Sequence, residues 1–95
     1  MLLLAWVLAL ATVAIGDEDH EQARRLREAG EILPLEQVLK AARAAQPGRV
    51  IGVELENDDG RHVYEVELLD ERGQVWELYF DAASGALVER KREDR

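Results

Sequence analysis

The runs Gly52-Val53-Glu54-Leu55-Glu56 and His62-Val63-Tyr64-Glu65-Val66-Glu67-Leu68-Leu69, with Asn57-Asp58-Asp59-Gly60 between them, decide the fold. Apolar and acidic residues alternate on both sides of a turn sequence, which is the period of a strand with one dry and one wet face. Ile51, Val53 and Leu55 fall on one face of the first strand, Glu54 and Glu56 on the other. Asn57 to Gly60 reads as a hairpin turn, because Asx side chains bond locally and glycine takes positive φ. In the second strand Tyr64, Val66 and Leu68 share the inner face; Val63, Glu65, Glu67 and Leu69 share the outer one. Gly52, bare on the outer row, marks a bulge or a close backbone approach.

The pattern continues outward in both directions. Asp70-Glu71-Arg72-Gly73 is a second turn, and Gln74 to Asp81 a third strand with Trp76, Leu78 and Phe80 inward and Val75, Glu77 and Tyr79 outward. Asp81 to Gly85 turns again before a short last strand, Ala86 to Arg90, and the charged tail from Lys91 is expected to fray. Upstream, Leu35, Val38, Leu39 and Ala42 lie at helical spacing, with Pro34 at the first helical position and Pro47-Gly48 as the stop. Asp17 to Glu31 reads as a short charged helix with a thin stripe of Ala23, Leu26, Ala29 and Ile32, capped by Asp19 and stopped by Gly30. One apolar sheet face and one main helix stripe make an α+β domain, a helix packed on a meander of about four antiparallel strands. The chain divides into residues 1–16 as a leader, 17–31 as the charged helix, 32–90 as the folded domain and 91–95 as the tail.

Met1 to Gly16 carries no charged side chain, and Asp17-Glu18-Asp19 follows at once. The apolar stretch of about 15 residues would span only about 22 Å as a helix, short of the roughly 30 Å of a bilayer core. A secretory signal fits better, with Ala14-Ile15-Gly16 or Thr12-Val13-Ala14 as the cleavage site. The basic residues that usually open such a signal are missing, which keeps an uncleaved anchor open as the alternative. The expected location is periplasmic or secreted, or anchored to the inner membrane by residues 1–16, and membrane contact is expected only through that segment. No cysteine is present to carry a lipid or a disulfide.

The chain of 95 residues has 20 acidic and 12 basic side chains, for a net charge of −8, which argues against nucleic acid as a partner and would steer a basic one. No catalytic constellation is apparent. His20 and His62 lack the spacing of a zinc site and are expected to be exposed. Ser84, the only serine, sits in a turn with no base in evidence. No cofactor is expected. Asn57, Asp58, Asp59 and Asp81 could offer oxygens to Ca²⁺, but a hairpin turn accounts for the first three. Glu54, Glu56, Glu65, Glu67 and Glu77 alternate on the wet face and are expected to keep near-normal acidity. Tyr64, Trp76 and Phe80 read as core. Val63, Leu69, Val75 and Tyr79 interrupt the outward acids and could form an apolar patch there, unless the first helix covers it.

Four segments in order, Leu35 to Ala42, then Pro47 to Leu55, then Tyr64 to Asp70, then Gly73 to Val88, resemble the PepSY domain. The lead-in Ala23 to Leu35 is similar to that of small periplasmic proteins with a single such domain. The resemblance implies a non-catalytic extracytoplasmic module that binds another protein, restraining a peptidase or modulating an envelope sensor in trans. It brings no set of functional residues with it. The chain itself offers Glu54, Glu65, Glu67, Glu77 and Tyr79 as a partner-binding face, or a strand edge for β-augmentation. The alternative is a low-affinity cation or small-ligand binder of the cell envelope.

Overall fold

A computed structural model of the chain describes residues 17–93. The leader reading for residues 1–16 lies outside the described residues. Among these, no helix is long and apolar enough to cross a membrane. Helix α1 (Asp17–Glu28) and helix α2 (Leu35–Ala45) precede strands β1 (Arg49–Asp58), β2 (Arg61–Leu69), β3 (Val75–Asp81) and β4 (Leu87–Arg92). The strands form one antiparallel sheet in the order β1-β2-β3-β4. Sequence and structure therefore agree on an α+β fold, a helix packed on a four-stranded antiparallel meander.

Asp19, expected at the N-cap, lies within helix α1. Glu21, Arg24, Arg25 and Glu28 form exposed ion pairs at helical spacing, worth a few tenths of a kcal/mol each. Its end is a Schellman motif. Gly30, at φ 76°, donates to Arg27 O, and Glu31 N reaches back to Leu26 O. Ala23 is buried and Leu26 packs on the core, so this helix lies on the inner side and leaves the outer face uncovered.

Pro34 occupies the N-cap of α2, one residue before the helix proper. Val38 and Ala42 are buried against the sheet, with Leu35 and Leu39 half-buried beside them. The linker between the helices is hooked to the far end of β3, where Leu33 N donates to Ala82 O at 2.8 Å. The core beneath is Tyr64, Val66, Leu68, Leu78 and Phe80, with Trp76 half-buried at its margin. Arg90 lies over the Trp76 ring, 4.9 Å from its centroid, and donates to Gln46 Oε1 and Ala45 O at the end of α2.

Both edge strands carry a bulge. In β1, Val50 pairs with Leu68 and Gly52 with Glu67, leaving Ile51 as an extra residue, 44% exposed. Ile51 therefore leaves the inner face, where strict alternation puts it, and Val50 takes its place. In β4, Phe80 pairs with Leu87 and Tyr79 with Glu89, so Val88 is the extra residue. Bulges bend an edge and interrupt the template it offers to another strand. The last strand runs through Lys91 and Arg92, which the sequence assigns to a fraying tail; pairing of Glu77 with Lys91 and Trp76 with Arg92 orders them.

Candidate partner-binding face

The alternation of β1, β2 and β3 sends every second side chain inward and the next outward, and antiparallel register then brings the outward acids together. Glu54 of β1 stands opposite Glu65 of β2, and Glu67 of β2 opposite Glu77 of β3. Tyr79 stands on the other side of Glu65, with Glu89 of β4 beyond it. All five residues expected to form the face are thus placed on one surface. Glu56 joins them. Carboxylate oxygens of Glu54, Glu56 and Glu65 lie within 4.8 Å of one another, and so do those of Glu65, Glu67 and Glu77. Glu65 belongs to both groups and is the centre of the cluster.

Like charges opposite one another across a ladder repel. The expectation of near-normal acidity consequently fails at Glu65, whose carboxyl is pushed up to about 8. Partial burial is the main cause, followed by a hydrogen bond with Glu56 and the charges of Glu56, Glu77 and Glu54. Tyr79 donates its hydroxyl to Glu77 Oε1 at 3.1 Å. Burial, that bond and the neighbouring carboxylates raise its phenol above the ordinary range. Lys91 Nζ rests 5.4 Å from the Tyr79 ring centroid and brings a positive charge to the edge of the face.

Gly52 opens a shallow notch of about 300 Å³ in this surface, lined by Val53, Glu54, Glu65 and Glu67. A methyl group at Gly52 would come within 2.8 Å of Glu67 Oε1. The larger hollow, about 670 Å³, is at the end of the sheet between Pro47, Arg49, Arg72 and Trp76. Of the two acids lining that hollow, Asp70 and Glu71, Asp70 is committed to structure, since it accepts from Arg72 N, Gln74 N and Trp76 Nε1.

Several expectations need correction. The outward apolar patch is not open: Val63 and Val75 are buried, and Leu69 and Tyr79 half-buried. Val63 sits between Glu56 and Asp81 of the adjacent strands and between Arg61 and Glu65 along its own, and longer side chains shield a valine so placed. His20 is exposed as expected, but His62 is only half-exposed and its buried Nε2 has no hydrogen-bond partner among the described residues. Asp58, Asp59 and Asp81 do not converge as a group within 4.8 Å among the described residues. Asn57 Oδ1 instead accepts from Gly60 N, while Asp81 accepts from Arg61 Nε and Ser84 N, both at 2.8 Å. Those bonds hold the Asp81 carboxyl down at about 2. The Ser84 hydroxyl accepts from Ala86 N and serves the turn. Glu56 was legible as part of the cluster from its place two residues after Glu54. The acidity of Glu65 was not, because it depends on which strands flank it.

A family model described as peptidase propeptide and YPEB domain, PepSY, matches residues 32–91. No curated protein and no solved structure matches the chain.

Proposed function

The chain belongs to the PepSY family, and from that premise we propose that it is a non-catalytic extracytoplasmic module that binds another protein through the outward face of its sheet. The observation that carries this reading is the convergence of Glu54, Glu65, Glu67 and Glu77 beside Tyr79 on one surface that both helices leave uncovered. Concentrated negative charge steers and orients a cationic surface, and Tyr79 adds an aromatic contact at its rim. The partner class is an envelope peptidase or the outer domain of a membrane sensor, restrained or modulated in trans. The bulges at Ile51 and Val88 weigh against strand addition as the main mode, since each interrupts an edge.

Photocrosslinking in intact cells tests this. A crosslinker at position 54 or 79 of the full-length chain should capture one envelope peptidase or sensor, and a crosslinker at exposed Arg43 on α2 should not. Affinity for the captured protein should fall as salt rises. Equal capture from both faces, or salt-insensitive affinity, would refute the acidic face as the contact.

A second reading, weak divalent cation binding, is favoured by the two carboxylate triplets that share Glu65. Hard cations take oxygen ligands, and an exposed site of this kind would hold Ca²⁺ only weakly. Calorimetry of the full-length chain with millimolar Ca²⁺ decides it: absence of heat removes the reading.

A further inference from the structure

At the end of the sheet away from the first hairpin, the chain leaving α2, the start of β1 and the turn from β2 to β3 enclose the hollow of about 670 Å³. Small-ligand sites occupy roughly 300–1,000 Å³. The hollow shares no lining residue with the notch at Gly52 and stands apart from the acidic face. Pro47, Leu69 and Trp76 form its apolar wall. The Trp76 ring is fixed in advance: its Nε1–H donates to Asp70 Oδ2 at 2.9 Å, and the Arg90 guanidinium lies 4.9 Å from its centroid. Arg90 is anchored in turn on Gln46 Oε1 at 3.1 Å. A wall held from two sides loses little freedom when a ligand settles on it.

The charge of this region runs against that of the chain, whose net charge is −8. Arg49 and Arg72 line the hollow, Arg90 covers the ring, and Arg92 stands opposite Trp76 in the β3–β4 ladder. The acids around them are Asp70, Glu71 and Glu93, which leaves a surplus of one positive charge. Asp70 already accepts three hydrogen bonds, and Arg72 acts on it through charge alone. Arg49 and Arg72 are both exposed, and neither forms a salt bridge with a described residue. The half-buried Gln74 side chain is hydrogen-bonded to no described residue and offers an amide donor and an amide acceptor in the same wall.

A guanidinium fork matches the two oxygens of a carboxylate, and a surplus of one charge suits a monoanion. We propose that the hollow binds the C-terminal end of a peptide: an apolar last side chain against Trp76, the free carboxylate on Arg49 and Arg72, and the last amide on Gln74. Charge alone does not separate such a peptide from a small aromatic acid; the amide group of Gln74 does, since only the peptide has an amide to meet it.

The test titrates the full-length chain with acetyl-alanyl-phenylalanine and follows the Trp76 indole N–H by NMR, assigned by its loss in Trp76→Phe. The resonance should move and saturate, and the same peptide closed as its C-terminal amide should bind about tenfold more weakly. Arg49→Gln and Arg72→Gln should each weaken the free acid several-fold, whereas Arg43→Gln, on α2 outside the hollow, should leave its affinity unchanged. Gln74→Leu should weaken the peptide and spare phenylacetate, which has no amide. No shift at millimolar peptide, equal binding of acid and amide, or indifference to both arginine substitutions would overturn the site. Phenylacetate binding as tightly as the peptide would overturn the peptide assignment. The amide fingerprint of each variant, unchanged away from the hollow, shows that the comparison is made on a folded chain.

Discussion

The indole Nε1–H of Trp76 donates to Asp70 Oδ2 at 2.9 Å, tying the start of β3 back to the turn that leads into it. Asp70 Oδ1 accepts from the backbone of Arg72 and Gln74, both at 2.9 Å. One carboxylate thus holds the turn closed and fixes the ring at the margin of the core. The Trp76 bond is the first cause that holds the Asp70 carboxyl below its ordinary pKa, and the Gln74 amide the second. Asp70→Ala removes all three bonds and should lower the melting temperature more than Trp76→Phe, which removes one bond and part of a ring. In Asp70→Ala the tryptophan emission should shift to the red. Equal melting temperatures for the two variants would show that the turn does not depend on this carboxylate.

Two carboxyls pull the pH dependence of stability in opposite directions. Asp81 is held at about 2, below its ordinary 3.8, so its contribution is present above that ordinary value and disappears as pH falls toward 2. Glu65 is raised from 4.5 to about 8, so its contribution is present below 4.5 and is lost as pH rises through 8. Thermal unfolding should therefore show greatest stability near pH 4 to 5 and a decline toward alkaline pH. Glu65→Gln should flatten the alkaline side and gain about 1 kcal/mol at pH 8 after solvent screening of a partly exposed group, or roughly 5 °C. A wild-type curve that is level from pH 5 to 8 would contradict the acidity assigned to Glu65.

Two glycines separate backbone constraint from side-chain crowding. A Cβ at Gly48, where φ is 155°, would meet the Leu69 carbonyl oxygen at 2.7 Å. That oxygen belongs to the backbone of β2 and cannot rotate away. At Gly52 the obstacle is Glu67 Oε1 at 2.8 Å, the far end of a flexible side chain. Gly48→Ala should cost about 2–3 kcal/mol, and Gly52→Ala less than about 1 kcal/mol. Chemical denaturation of the two variants checks the order, and a reversal would place the constraint in the carboxylate cluster instead.

The alternation from Val53 to Leu69 was enough to read the hairpin, its faces and its turn. Asp59 and Gly60 do take the positive φ that a two-residue hairpin loop requires. The bulges were only half legible. Gly52 signalled an irregularity in β1, but a bare glycine does not say which neighbour becomes the extra residue, so Ile51 was assigned inward. Val88 carries no such signal, because a valine suits a regular strand equally well. The burial of Val63 and Val75 escaped sequence reading for a related reason. Alternation gives the face a residue is on, whereas exposure depends on the length of the side chains beside it. Register across three strands, which no single stretch contains, is also what turns ordinary outward glutamates into the cluster centred on Glu65.

The bulge in β1 leads to a prediction about deletion. Ile51 is the unpaired extra residue, so removing it leaves Val50 opposite Leu68 and Gly52 opposite Glu67, and every later side chain keeps its face. Removing Val53 instead deletes an inward residue paired with Val66, and the strand can restore alternation only by drawing Ile51 in or slipping register. The Ile51 deletion should therefore keep its circular dichroism and lose only a few tenths of a kcal/mol, whereas the Val53 deletion should lose about 2 kcal/mol or more. The same deletion straightens the exposed edge of β1 and restores a continuous template for pairing. Sedimentation should then show concentration-dependent association of the Ile51 deletion under conditions where the parent chain stays monomeric. If the deletion unfolds the chain, the bulge is required for the β1–β2 ladder itself; if the variant folds and remains monomeric, the bulge does not guard the edge.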